Sequence, residues 1–111
     1  MTSAAFSALA LSFPHTECNP HFDRNAFKVT GKRIFATLLQ KDQTVNVVLS
    51  PEEQEAFCKM NAKGIYPVPN KWGEKGWTTF ELARVPDDLV QAAVTIAYEA
   101  VFQSSASKIQ K

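Results

Sequence analysis

The chain has 111 residues, 45% of them apolar, and its 12 Lys and Arg against 11 Asp and Glu leave a formal charge of +1. That size supports one hydrophobic core and is too short for two. The balanced charge excludes both an acidic disordered protein and a strongly basic nucleic-acid coat, so any basic surface has to be local. Cys18 and Cys58 form no CxxC pair and no secretory signal precedes them, which reads as reduced thiols in the cytoplasm.

The N-terminal "MTSAAFSALALSF" has no Lys or Arg ahead of its apolar run, and Ser7 and Ser12 break that run, so a helix accounts for it better than a signal peptide. Phe6, Leu9, Ala10 and Phe13 fall on one helical face, and Pro14 ends the pattern. No segment approaches the ~20 apolar residues of a membrane span. A hairpin follows: Phe27 and Val29 alternate with Lys28 and Thr30, Gly31-Lys32 turns, and Ile34 to Leu39 returns. After a "KDQ" turn, Val45, Val47 and Leu49 share one face of a third strand.

"SPEEQEAFCKM" carries a capping box, with Ser50 as N-cap, Pro51 at the first helical position and Glu53 three residues after the cap. Gly64 is the expected stop of this helix. Cys58, beside Phe57, reads as a core residue. Pro67 and Pro69 in "IYPVPN" confine that segment to a sheet edge. "WTTFELARV" alternates as a strand, with Trp77 expected to bury against Phe13 or Tyr98 and Trp72 left as the freer indole. Pro86 and Asp87-Asp88 open a last helix with an apolar stripe of Leu89, Ala93, Ile96, Ala97 and Ala100.

The expected fold is an α+β two-layer sandwich, with an antiparallel sheet of about five strands covered by the N- and C-terminal helices in the order α-β-β-β-α-β-β-α. Residues 1–103 form a single domain on this reading, and 104–111, "SSASKIQK", a frayed tail. The pieces "SFPHTE", "AFKVTGKRIFATL", "LSPEEQEAFC", "YPVPNKWGEKGWTTFEL" and "VPDDLVQAAVTIAYEAV" resemble, in order, the MmcQ/YjbR family of small bacterial proteins. The likeness runs from about Leu9 to Phe102. It implies a fold related to the frataxin-like (CyaY-like) and secretion-chaperone-like sandwiches, and a customary description as DNA-binding. His15 and Cys18 depart from the family's frequent pattern, which has a small residue and an acid there.

His15, Cys18 and His21 could supply two imidazoles and a thiolate to a soft metal, or Cys18 and His21 a nucleophile and base. Pro14 and Pro20 keep the segment from being a helix, so equal spacing does not gather the three, and exposed loop histidines are the simpler account. Iron handling of the frataxin kind needs an acidic ridge, and the first helix has no Asp or Glu. No phosphate loop or dinucleotide motif is present. We therefore expect a non-enzyme without a cofactor or metal.

Charge is uneven along the chain. Residues 24–33 hold Arg24, Lys28, Lys32 and Arg33 and no acid, and Lys59, Lys63, Lys71 and Lys75 stand against Glu74 alone. Residues 81–99 are acidic, with Glu81, Asp87, Asp88 and Glu99 against Arg84. "GEKG" has the length of a KH-domain clamp loop, but it lies between strands, so its glycines fit a tight turn. The expectation is weak, largely sequence-independent DNA binding through Arg24, Lys28, Lys32, Arg33, Lys71, Trp72 and Lys75, with Trp72 stacking on a base. The alternatives are a protein-interaction or chaperone-like module, pairing with a partner or a second copy through the Ile65 to Val68 edge, and a small-molecule pocket between helices and sheet.

Overall fold

In a computed structural model, which describes residues 1–104, the element order is α1 (Ser3–Ser12), β1 (Thr16–His21), β2 (Arg24–Val29), β3 (Ile34–Leu39), β4 (Thr44–Val48), α2 (Pro51–Met60), β5 (Ile65–Pro67), α3 (Lys71–Glu74), β6 (Trp77–Glu81) and α4 (Asp87–Gln103). The expected tail lies, beyond Ser104, outside the described residues. The strands make one antiparallel sheet of six in the order β1-β2-β3-β4-β6-β5. The α+β sandwich expected from the sequence is therefore present, with the four-residue helix α3 between β5 and β6 and with one more strand. The added strand is β1, whose Asn19 and Pro20 are poor strand formers and whose residues bury little. It forms because it lies at the edge, where the missing Pro20 amide costs no ladder bond, and because residues 16–21 pair in full with β2.

The helices α1, α2 and α4 all pack on one face of this sheet. Phe6 of α1 meets Phe27 edge-on at 5.7 Å, and Phe57 of α2 meets Phe80 at 5.8 Å. Val90, Ala93, Val94, Ala97, Tyr98 and Val101 of α4 are buried in the same core as Val45, Val47, Leu38 and Phe80. This stripe is rotated from the expected one: Leu89 and Ile96 are only half-buried and Ala100 is exposed. Tyr98, at 7% exposure, decides the rotation. Its ring stacks on Phe13 at 4.5 Å and meets Phe35 at 5.7 Å, and its hydroxyl donates to the Pro14 carbonyl at 2.8 Å.

Phe35 reaches that cluster through a bulge. Phe27 pairs with Ala36 but Lys28 with Ile34, so Phe35 is the extra residue, and both Phe35 and Ala36 are buried. The capping box of α2 is formed as expected, with the Glu53 amide donating to Ser50 Oγ at 3.1 Å and the Ser50 amide to Glu53 Oε1 at 2.8 Å. The helix ends at Met60 with Asn61 as its cap, ahead of the expected stop; the Gly64 amide donates to Asn61 Oδ1 and Gly64 packs under Val85. Cys58 is half-buried against the core, and burial raises its thiol pKa.

Gly76, at φ +107°, sits where any Cβ would lie 1.7 Å from the Leu49 carbonyl oxygen, and the Leu49 amide donates to the Gly76 carbonyl at 3.0 Å. Gly31 also has a positive φ, +79°, but an added Cβ meets nothing within 4 Å. Gly76→Ala should therefore lower the melting temperature much more than Gly31→Ala, whose cost is the left-handed conformation alone, about 1 kcal/mol. Thermal melting of the two variants checks this, and equal losses would mean that the 49–76 contact does not hold the loop.

Candidate functional site

With α1, α2 and α4 gathered on one side, the other sheet face is left to side chains, solvent and the single turn of α3. Strand alternation puts Asn46 and Val48 of β4, Trp77, Thr79 and Glu81 of β6, and Thr37 of β3 on this face. Polar pairs tie it together: Thr79 Oγ1 donates to Asn46 Oδ1 at 2.7 Å, and the Tyr66 hydroxyl to Glu81 Oε2 at 2.6 Å. That bond, with burial adding to it, raises the Tyr66 pKa.

A groove of about 470 Å³ crosses the face. Its floor is Ile34, Thr37, Asn46 and Val48; one wall is His21, Arg24 and Arg33, and the other is Val68, Asn70, Trp72 and Trp77. This volume lies within the ~300–1,000 Å³ usual for small-ligand sites. Arg24 is mostly buried, and its Nη1 is shut off from solvent with no hydrogen-bond partner among the described residues. A buried guanidinium nitrogen without an acceptor is costly to leave, and an anion would satisfy it.

The wall of indoles comes from a compact turn. After the β5 edge, Asn70 Oδ1 accepts from the Trp72 amide at 2.9 Å and starts the single turn of α3. Gly73 fits because a Cβ there would strike the Val68 carbonyl at 1.8 Å. Gln54 of α2 reaches over to the Gly73 carbonyl at 3.0 Å, the Trp77 carbonyl at 3.1 Å and Thr78 Oγ1 at 3.1 Å. This anchors the loop from below while Trp72 stays 57% exposed. The Lys75 ammonium lies over the Trp72 ring, 5.1 Å from its centroid.

The seven residues expected to contact nucleic acid separate into groups. Arg24, Arg33 and Trp72 line the groove. Lys75 adjoins it through Trp72, and Lys71 is exposed at the start of α3. Lys28 is half-buried on β2 between Glu17 and Ile34. The Glu17 carboxyl is held below its usual range, first by hydrogen bonds from Asn19 and Thr30 and then by Lys28. Lys32 points elsewhere: its ammonium donates to the carbonyls of Phe102 and Ser104, the latter at 2.8 Å, and covers the Phe102 ring, so it caps the C-terminus of α4.

Trp77 departs from its expected place. It pairs with Val48 and lines the groove, half-buried, while Phe13 and Tyr98 pack on the opposite face. Glu81, four residues on and so on the same face of the strand, carried the signal, because a strand face that ends in a carboxylate is the wet one. His21, Asn46 and Asn70 also belong to the groove and were not read as part of it.

His15, Cys18 and His21 do not converge. Cys18 and His21 are three apart on β1 and so face opposite ways, while His15 precedes the strand at φ +62° and stacks on Phe102. Burial raises the Cys18 thiol pKa, the reverse of what a nucleophile needs. Among the described residues no three His, Cys, Asp or Glu side chains come close enough to share a metal ion. Nor is any described helix long and apolar enough to cross a membrane.

A family model described as YjbR matches residues 11–100. The chain belongs to the YjbR family. No curated protein gives a significant sequence match. Among solved structures, this YjbR chain resembles a Deinococcus radiodurans protein with a DUF419 domain, at 20% identity and a TM-score of 0.77 over 99% of this chain and 82% of that one. It also resembles a Pseudomonas syringae protein at 16% identity and a TM-score of 0.69, over 91% of this chain and 99% of that one. At these identities the likeness is one of fold.

The two indoles should differ in solution. Acrylamide should quench wild-type emission strongly and Trp72→Phe emission much less, and Trp72→Ala should change stability by no more than about 0.5 kcal/mol, as exposed substitutions do. Equal quenching of both proteins would mean that Trp77 is as open as Trp72.

Proposed function

We propose that the protein binds single-stranded nucleic acid, without strong sequence preference, in the groove on the sheet face opposite α1, α2 and α4. One observation carries the reading: the mostly buried Arg24, whose Nη1 has no partner among the described residues, lines the same groove as Arg33 and two tryptophans. Guanidinium groups pair with phosphate in charge-assisted, often bidentate bonds, and an indole face stacks on any base. A single strand is favoured over duplex because a base inside a duplex offers no free face to an indole. The long helices, which could enter a major groove, pack on the other side of the sheet.

On this reading Arg24 and Arg33 hold phosphates, Trp72 and Trp77 flank a base, and Asn46 and Asn70 supply adaptable polar contacts. Lys75 and Lys28 add positive potential at the margins. Lys32 has no part in binding, because its ammonium is committed to the end of α4. The protein holds its ligand and does no chemistry on it.

The test is a titration with a short DNA single strand. Three or four phosphate contacts, at a single-strand slope near −0.7 each, should weaken binding about 20- to 50-fold between ~50 and ~200 mM salt. Charge reversal of Arg24 and Arg33 together should cost more than about tenfold in affinity at low salt. Lys32→Glu should leave affinity near wild type and lower the melting temperature. Binding that ignores salt and both arginines would remove the groove from the account, and salt-resistant self-association would point instead to an apolar pairing surface.

A further inference from the structure

Among the described residues, three other than glycine have a positive φ: His15 at 62°, Phe22 at 59° and Gln43 at 55°. Two of them serve the fold. The His15 carbonyl accepts from the Thr30 amide at 2.7 Å and its ring stacks on Phe102, while the Gln43 carbonyl accepts from the Leu82 amide at 3.0 Å. Phe22 differs. It is the first of two residues in the β1–β2 turn, a place where glycine is usual, and it is 95% exposed. A bulky residue in the left-handed region costs roughly 1–2 kcal/mol, and a ring in water returns nothing to the fold. Its ring meets His21 edge-on at 4.9 Å, and His21 lines the groove.

A strained, exposed aromatic that packs on the His21 wall of an aromatic and cationic groove is explained by what it would touch. We propose that Phe22 is a base-stacking contact that carries the site past its His21 wall to a second nucleotide of the same strand. This rests on the reading of the groove as a single-strand site. Arg24, two residues on, holds the intervening phosphate. The Asp23 carboxylate, exposed at the turn, keeps the backbone on the Arg24 side. A base on Phe22 and a base between the tryptophans make the unit of recognition longer than one nucleotide, so the ligand is a strand and not a free mononucleotide.

The experiment is fluorescence anisotropy with an end-labelled DNA single strand of about eight nucleotides at low salt, within the usual single-strand site sizes. Wild type, Phe22→Gly, Phe22→Trp and the Arg24/Arg33 reversal are compared, and each is melted thermally. Phe22→Gly should melt at or above wild type, because glycine relieves the turn, and should bind at least about fivefold more weakly, the lower end of what one stacked base contributes. Phe22→Trp should bind as well as wild type or better. Wild-type affinity in Phe22→Gly, or a Phe22→Trp as weak as Phe22→Gly, would overturn the role of Phe22, and a lower melting temperature for Phe22→Gly would remove the strain on which it stands. If the arginine reversal abolishes binding while Phe22→Gly does not, only the second-nucleotide contact falls. If wild type does not bind, both readings fall.

Discussion

The arrangement depends on one-sided burial. Phe6, Phe57 and the Val90 to Val101 stripe of α4 bury the same sheet face, and among the described residues the opposite face carries only the single turn of α3 at its margin. A half-covered antiparallel sheet is stable when its outer face is polar, and Asn46, Thr79, Thr37 and Glu81 meet that need. The face is not uniformly polar, however. Trp77 and Val48 stand beside each other on it, and the 68–72 segment folds Val68 and Trp72 toward them. The result is a concave site whose floor is rigid β-ladder and whose far wall is a loop held by Gly73, Gly76 and the Gln54 amide.

Charge follows the same division. The chain is close to neutral overall, so attraction of an anion has to come from placement. Arg24 and Arg33 are on the groove side, and Lys32, next to Arg33 in sequence, is spent on the carbonyl end of α4. The carboxylates of the open face are engaged: Glu17 accepts from Asn19 and Thr30, and Glu81 from Tyr66 and Arg84. Engaged carboxylates stay charged but are fixed, and the groove's own lining contains two arginines and no acid. That asymmetry is the electrostatic basis for an anionic ligand.

Local signals were legible in the sequence because their physics is local. The Ser50 to Glu53 capping box, the Gly31 turn and the Val45, Val47, Leu49 alternation each depend on a few neighbours, and each was formed as read. β1 was hidden because Asn19 and Pro20 lack strand propensity, and only its pairing with β2 makes it a strand. The α4 stripe was misplaced by one residue because Leu89 is as apolar as Val90, and the choice between them was made by Tyr98 stacking on Phe13. The groove itself could not be read from spacing. It exists because β6 lies between β4 and β5, which brings Trp77 to Val48 and Trp72 across from Arg24, residues 48 apart in the chain. Lys32 and Arg33 looked alike in sequence, and only the position of the end of α4 separates them.

The most direct measurement is a two-dimensional nitrogen–proton NMR titration that follows the two indole N–H signals as a DNA single strand is added. Each tryptophan supplies one such signal, so the two assignments are unambiguous once Trp72→Phe removes its own. The account predicts that both indole signals move together at low salt, and return when salt is raised, while amides of α1 and α4 stay in place. Stationary indole signals alongside moving α1 or α4 amides would contradict it, because the ligand would then be held on the helical face and the groove would not be the site.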